Sequence, residues 1–228
     1  MNNQTAIQVI NAEAFIKLWD EFAGKLTENG NWLNKWDNNK EWTEAIVGRD
    51  VAEEEQSPLG NAIVTYFNEK LRYRKEEWKV DLVLAKAQDF ENLKDLNDKE
   101  MPLDWFYPKN YEILIEHENN IESCWEEMAK LTYLRARLKV LITYNYDYSA
   151  KDIEEGKDKE SVKILVGNFK RIIEQTNKTN PENPDTEYVL IVGQKTTENN
   201  SANLVWYKYA FNANGEYIIE QTPAPASL

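Results

Sequence analysis

The stretch from Tyr111 to Tyr144 constrains the fold more than any other part of the chain. It opens with Tyr111-Glu112-Ile113-Leu114-Ile115-Glu116-His117-Glu118-Asn119-Asn120, an apolar strand pattern. It continues from Ile121 to Arg137, where Ile121, Trp125, Met128, Thr132 and Arg135 fall along one line of a helix. It closes with Leu138-Lys139-Val140-Leu141-Ile142-Thr143-Tyr144, which reads as a buried strand. Strand, helix, strand in that order predicts a right-handed crossover and a parallel pair. The expected class is α/β (α+β in its mixed sheet), with a central sheet flanked by helices.

The rest of the chain fits around that unit. Phe15, Leu18, Trp19, Phe22 and Leu26 recur at helical spacing over Glu13 to Leu26, and Asn29-Gly30-Asn31 ends the helix. Trp32, Leu33, Trp36 and Trp42 follow as a second short helix, with the tryptophans read as core. Ser57 before Pro58 reads as a cap with proline at the first helical position. That helix is expected to run through Ile63, Val64, Phe67 and Leu71. Trp78 to Ala85 reads as a strand, and a short helix is expected around Phe90 to Leu96. Lys159 to Thr176 is an amphipathic helix and Tyr188 to Gly193 a strand. Asn212-Ala213-Asn214-Gly215 between two strand-like runs signals a C-terminal hairpin. The expected organisation is one domain, 1–228. It divides into an N-terminal helical segment (1–56), a core region (57–144), a C-terminal helix and strands (145–220) and a frayed tail (221–228).

Composition bounds the chemistry. With 40 acidic against 27 basic residues the net charge is −13, so contact with nucleic acid would need a local patch, a metal or a partner. The single cysteine, Cys124, excludes a disulfide framework and a cysteine-based zinc cluster, and it reads as a core residue. The single histidine, His117, reads as a hydrogen-bonded structural group. No apolar stretch approaches the ~18 residues of a membrane span, and a cytoplasmic location without membrane contact is expected.

Three carboxylates carry the chemical interest. Glu116 and Glu118 share one face of their strand, roughly 7 Å apart at about 3.3 Å per residue. Such a pair is costly unless solvated, protonated or neutralised by a cation. Asp81 interrupts an apolar strand, where a charge is expensive. If its strand pairs with that of Glu116, the two converge. The bland alternative is a solvated edge strand. Two basic runs, Lys70 to Lys75 and Arg135 to Lys139, read either as phosphate contacts or as helix C-terminal charges.

A helix, a strand with Asp81, a strand with Glu116 and a polar residue at 118, then helix and strand, resembles the PD-(D/E)xK restriction-endonuclease-like nucleases. The resemblance spans about Ser57 to Tyr144. It implies a restriction-endonuclease-like core and metal-dependent hydrolysis of nucleic-acid phosphodiesters, linked to bacterial or phage defence. Asp81 and Glu116 would hold Mg²⁺ or Mn²⁺, with Glu69 or Glu77 as a further acid. Glu118 stands where the family usually has lysine, and Lys130 on the next helix is the candidate for a migrated lysine. Implied partners are nucleic acid, DNA before RNA, and a second copy or another protein. The alternative is a nuclease-fold protein without catalysis that binds a protein partner.

Overall fold

The computed structural model describes residues 9–28, 32–48, 57–67, 71–77, 79–86, 90–91, 107–108, 110–145, 155–198 and 201–223. Four helices come first: α1 (Ala12–Thr27), α2 (Trp32–Trp36), α3 (Asn39–Ile46) and α4 (Pro58–Phe67). Strands β1 (Leu71–Glu77), β2 (Val80–Lys86), β3 (Phe90–Glu91), β4 (Tyr107–Pro108) and β5 (Tyr111–Glu118) follow. Then come α5 (Cys124–Tyr133), β6 (Ala136–Tyr144), α6 (Lys157–Thr179), β7 (Glu187–Glu198), β8 (Ser201–Asn212) and β9 (Tyr217–Gln221).

Seven strands form one mixed sheet in the order β1-β2-β5-β6-β7-β8-β9. β5, β6 and β7 are mutually parallel, as their crossovers through α5 and α6 require. β2 runs antiparallel between β1 and β5, and β8 and β9 close the sheet antiparallel. Alternation along the strands sorts two cores. Leu84, Ile113, Val140, Ile142 and Ile191 face α1 to α4, meeting Phe15, Trp19, Trp42, Ile63 and Phe67. Val83, Leu114, Leu141, Leu190 and Val192 face α5 and α6, meeting Met128, Leu131, Val166 and Phe169. The two-residue period of the strands thus makes the protein a three-layer α/β structure.

Local chemistry explains the ends. The Asn11 side chain accepts from Ala14 N at 2.8 Å and starts α1. Ser57 Oγ accepts from Gly60 N at 3.0 Å with Pro58 opening α4, as its sequence signature predicts. Gly215, at φ 79°, makes the tight turn of the β8–β9 hairpin. At Gly193 a Cβ would lie 2.6 Å from Trp206, so only glycine lets β7 pass under that ring.

Several expectations need correction. Leu71 belongs to β1, not α4, and the run Leu71–Glu77 is an edge strand rather than a helix end. Pairing with β2 overrides the helical spacing of Phe67 and Leu71. Phe90 and Glu91 pair with Tyr107 and Pro108 instead of starting a helix, and 92–96 lie outside the described residues. α5 is shorter than expected and turned about its axis. Cys124, Met128, Leu131 and Thr132 are its buried line, while Trp125 is 52% exposed. Arg137 lies in β6 and not in the helix, and Lys139 is fully buried, so Lys139 is no surface phosphate contact. The turn at 29–31, the acidic connector 53–56, most of the loop 147–158 and the tail 224–228 lie outside the described residues. Among the described residues, no helix is long and apolar enough to cross a membrane.

Candidate active site

The antiparallel ladder between β2 and β5 runs from Leu84↔Ile113 to Leu82↔Ile115. One step further along the same register, Asp81 stands opposite Glu116. There the main-chain pairing gives way to a side-chain contact: His117 N donates to Asp81 Oδ2 at 2.7 Å. Asp81 is thereby held over the carboxyl end of β5. Glu116 projects toward α5, on the same face as Leu114, and is 1% exposed.

Lys130, on the last turn of α5, completes the group. Its ammonium lies 2.8 Å from Glu116 Oε1, an ion pair by distance. Lys130 also contacts Glu127, three residues earlier on the helix, and donates to the Lys79 carbonyl in the β1–β2 turn. Lys79 has φ 61°, a left-handed conformation that lets the turn reverse tightly.

Charge in the cluster is unbalanced. Asp81, Glu116 and Glu127 face one lysine. Burial, then the Asp81 charge, pushes Glu116 up to about 9, against the pull of Lys130 and with a smaller push from Glu127. Burial acts downward on Lys130, but its contacts with Glu116 and Glu127 outweigh that and hold it above the usual lysine value. At neutral pH the cluster therefore keeps a proton on Glu116, the least solvated acid, beside a charged lysine.

The other sequence-predicted residues are less central. Glu118 is half-buried, and its Oε1 accepts from Asn120 N at 2.7 Å, tying down the turn after β5. Its charge acts on Cys124, whose thiol is pushed up to about 12, first by burial and then by Glu118. That thiol is inert as a nucleophile. Glu77 closes β1 opposite Val80 with its side chain outside the described residues, and Glu69 lies outside them altogether. His117 turns to the opposite face, where Nε2 is 2.7 Å from the Tyr144 hydroxyl. Burial pushes it down to about 3, so it stays neutral and structural. Glu127 joins the cluster from the first turn of α5. Its i, i+3 spacing to Lys130 was the signal that it belongs here.

Two polar cavities flank the parallel strands. One, of about 580 Å³, opens beyond the carboxyl end of β5 and is lined by Trp36, Asn39, Asn119, Asn120, Tyr144 and Lys195 among others. The other, of about 550 Å³, lies at the opposite end by Arg135, Arg137, Glu182 and Asp185. The acidic cluster sits toward the first of these ends, within the last rungs of the β5 ladder, and Asp81, Glu116 and Lys130 do not line the cavity itself.

The donor set suits a hard divalent ion in one respect. Two carboxylates on adjacent strands are the kind of ligand Mg²⁺ prefers. Among the described residues no three His, Cys, Asp or Glu side chains are grouped to hold a metal, so a closed protein cage is not what this geometry offers.

No protein-family model matches the sequence, and no curated protein matches it. Among solved structures the chain is similar to a carbon–nitrogen hydrolase from Helicobacter pylori G27. The identity is 8% and the TM-score 0.38, over 86% of this chain and 68% of that one.

Proposed function

We propose that the chain is a metal-dependent nuclease of the PD-(D/E)xK kind, with Asp81, Glu116 and Lys130 at its centre. One observation carries the reading: where β2 and β5 stop pairing, the Asp81 charge acts on Glu116, which is paired with a lysine from the next helix. Helix, Asp81 strand, Glu116 strand, helix and strand occur in the order of the resemblance as α4, β2, β5, α5 and β6, with β1 added before β2 and the two-residue strands β3 and β4 before β5, and this supports the reading. Mg²⁺ or Mn²⁺ held by the two carboxylates would polarise the phosphoryl oxygen and supply a hydroxide-like water. In the reaction a water oxygen bonds to phosphorus, the ester P–O bond breaks, and the departing alkoxide takes up a proton. Lys130 is placed to stabilise charge that builds on the phosphoryl group. Glu118, bonded to its own turn, has a positioning role for the 118–120 segment.

A second reading has its own support. Lys130 already has three partners, Glu116, Glu127 and the Lys79 carbonyl, which satisfies the three donors of an ammonium. A lysine so held suits a nuclease fold that binds a protein and no longer cleaves.

The test is cleavage of single- and double-stranded DNA and RNA with Mg²⁺ or Mn²⁺. The nuclease reading expects cleavage that falls to background in Asp81→Ala and Glu116→Gln, both folded. A folded wild type inert on all four substrates with either metal would falsify it and favour the second reading.

A further inference from the structure

The basic run Lys70 to Lys75 found no place in the chemistry above, and the position of Leu71 to Lys75 on an edge strand changes what it means. As a strand, β1 sorts its side chains by face. Tyr73 and Lys75 turn to the α4 side. The Tyr73 hydroxyl accepts from Ser57 N at 3.2 Å and donates to Asn61 at 3.0 Å, and Lys75 donates to the Gly48 carbonyl at 3.0 Å. Arg72 and Arg74 take the other face. Arg74 stands opposite Val83 and Arg72 opposite Ala85. Val83 lies in the core beneath α5, so both arginines share a sheet face with Asp81 and Glu116.

Among the described residues that face is open at its margin. α5 lies over β5 and β6, and α6 packs toward β8 through Phe169 and Phe211, 5.5 Å between ring centres. β1 extends past α5 on the β2 side, and Arg72 is exposed there with Arg74 half-buried. The two arginines are roughly 7 Å apart along the strand, and Arg74 is about 7 Å along and about 5 Å across from Asp81. The Lys86–Glu112 ion pair, 3.1 Å, closes the far end without net charge.

We propose that Arg72 and Arg74 form a phosphate-binding track on β1 that leads a nucleic-acid strand to Asp81 and Glu116. The inference rests on the nuclease reading. A protein of net charge −13 with an acidic reaction centre repels a polyanion. A short run of guanidinium groups on the same face, one strand away, supplies local attraction. Arginine suits this because its planar fork pairs with phosphate oxygens. The ordinary role of basic residues on an edge strand is to discourage edge-to-edge pairing. That role asks nothing of their face, whereas a track requires both to lie on the face that carries Asp81.

The experiment measures binding of fluorescent single- and double-stranded DNA and RNA oligonucleotides with Ca²⁺ in place of Mg²⁺, from 50 to 200 mM salt. Wild type, Arg72→Ala/Arg74→Ala, Arg72→Lys/Arg74→Lys and Arg135→Ala/Arg137→Ala are compared. The last pair removes the same charge from exposed positions three strands across the sheet, at and just before the start of β6. The track expects binding about tenfold or more weaker in the first alanine pair, with a salt slope shallower by about one to two. The lysine pair should recover part of the loss, and Arg135→Ala/Arg137→Ala should bind as wild type does. Equal losses in the two alanine pairs, or none in the first, overturn the track. Binding lost with Arg72 and Arg74 in a protein that never cleaves keeps the track and removes the catalytic reading. Cleavage with unchanged KM in the Arg72→Ala/Arg74→Ala protein keeps the nuclease and removes the track. A wild type that neither binds nor cleaves removes both.

Discussion

Two lysine–glutamate pairs lie on the same face of the sheet, one toward each end, and they differ in how charge is balanced. Lys139 pairs directly with Glu182, and Arg135 is a further positive charge near it. Lys139 is fully buried on β6, contacts Glu182, and sits over the Tyr188 ring at 5.1 Å. Burial holds its pKa below the usual lysine value despite the glutamate. At the other end Lys130 and Glu116 share their site with Asp81 and Glu127. The first pair satisfies itself and pins the segment leading into β7. The second carries more acid than one lysine neutralises, which leaves a place for a cation or a proton. A balanced buried pair belongs to the scaffold, and an unbalanced one is where chemistry is sought.

The sharpest way to break the comparison is to break the balanced pair. Lys139→Ala leaves Glu182 with an uncompensated charge in a largely buried site, 7% exposed at the side chain. Removing one partner of such a pair costs about 3–5 kcal/mol, read as a lower urea midpoint at unchanged slope. The double variant Lys139→Met/Glu182→Leu should restore most of that loss. By contrast Glu116→Gln should leave the fold as stable as wild type at pH 7 or more so, because it removes a carboxyl that burial disfavours when charged. If Glu116→Gln unfolds the protein and Lys139→Ala does not, the assignment of scaffold and site is reversed.

The unbalanced site should also show itself through pH. Glu116 is raised to about 9 in the folded protein, against 4.5 as its reference. The unfolded chain therefore releases this proton first, and the folded state holds it. Stability from this group is fully present below pH 4.5 and is lost as pH rises toward 9. From pH 6 to 8 the loss is roughly 3 kcal/mol, at 1.36 kcal/mol per unit. Urea titrations should show this slope in wild type and not in Glu116→Gln. Over the same range Mn²⁺ binding should tighten about tenfold per pH unit and release one proton, measured by calorimetry in two buffers of different ionisation heat. A flat stability profile in the wild type means that Glu116 is already charged.

How much of this was legible follows from where the physical signal sits. Asp81 stood out because a charge in an apolar strand is expensive, and that cost is visible within eight residues. Glu116 stood out because a strand places i and i+2 together. β1 was hidden because Phe67 and Leu71 keep helical spacing, and only pairing with β2, which closes the sheet's edge, makes the segment a strand. Lys139 was hidden because its partner Glu182 lies 43 positions away, and a lysine in a strand looks like surface until that partner is known. Glu127 was half-legible, since its spacing to Lys130 showed in the sequence while the turn of α5 that brings it to Glu116 did not. Residues that act through neighbours in the chain were readable. Those that act across the sheet needed the fold.

His117 offers the smallest effect and separates the two faces of β5. Its main-chain N–H serves the acidic site, and its ring serves the opposite core against Tyr144. Burial lowers the ring to about 3 from a reference of 6.5. Its contribution to stability is present above pH 6.5 and is lost as pH falls toward 3, because the unfolded chain takes up a proton that the folded one refuses. Between pH 6.5 and 5 that amounts to about 2 kcal/mol. His117→Gln keeps a group able to bond the Tyr144 hydroxyl and does not titrate, so it should lose less stability on acidification. Because the N–H to Asp81 is main chain, the same variant should keep Mn²⁺ affinity and cleavage near wild type. Cleavage lost in a folded His117→Gln protein would mean that the ring itself belongs to the site, and that the two faces of β5 are not divided as their contacts indicate.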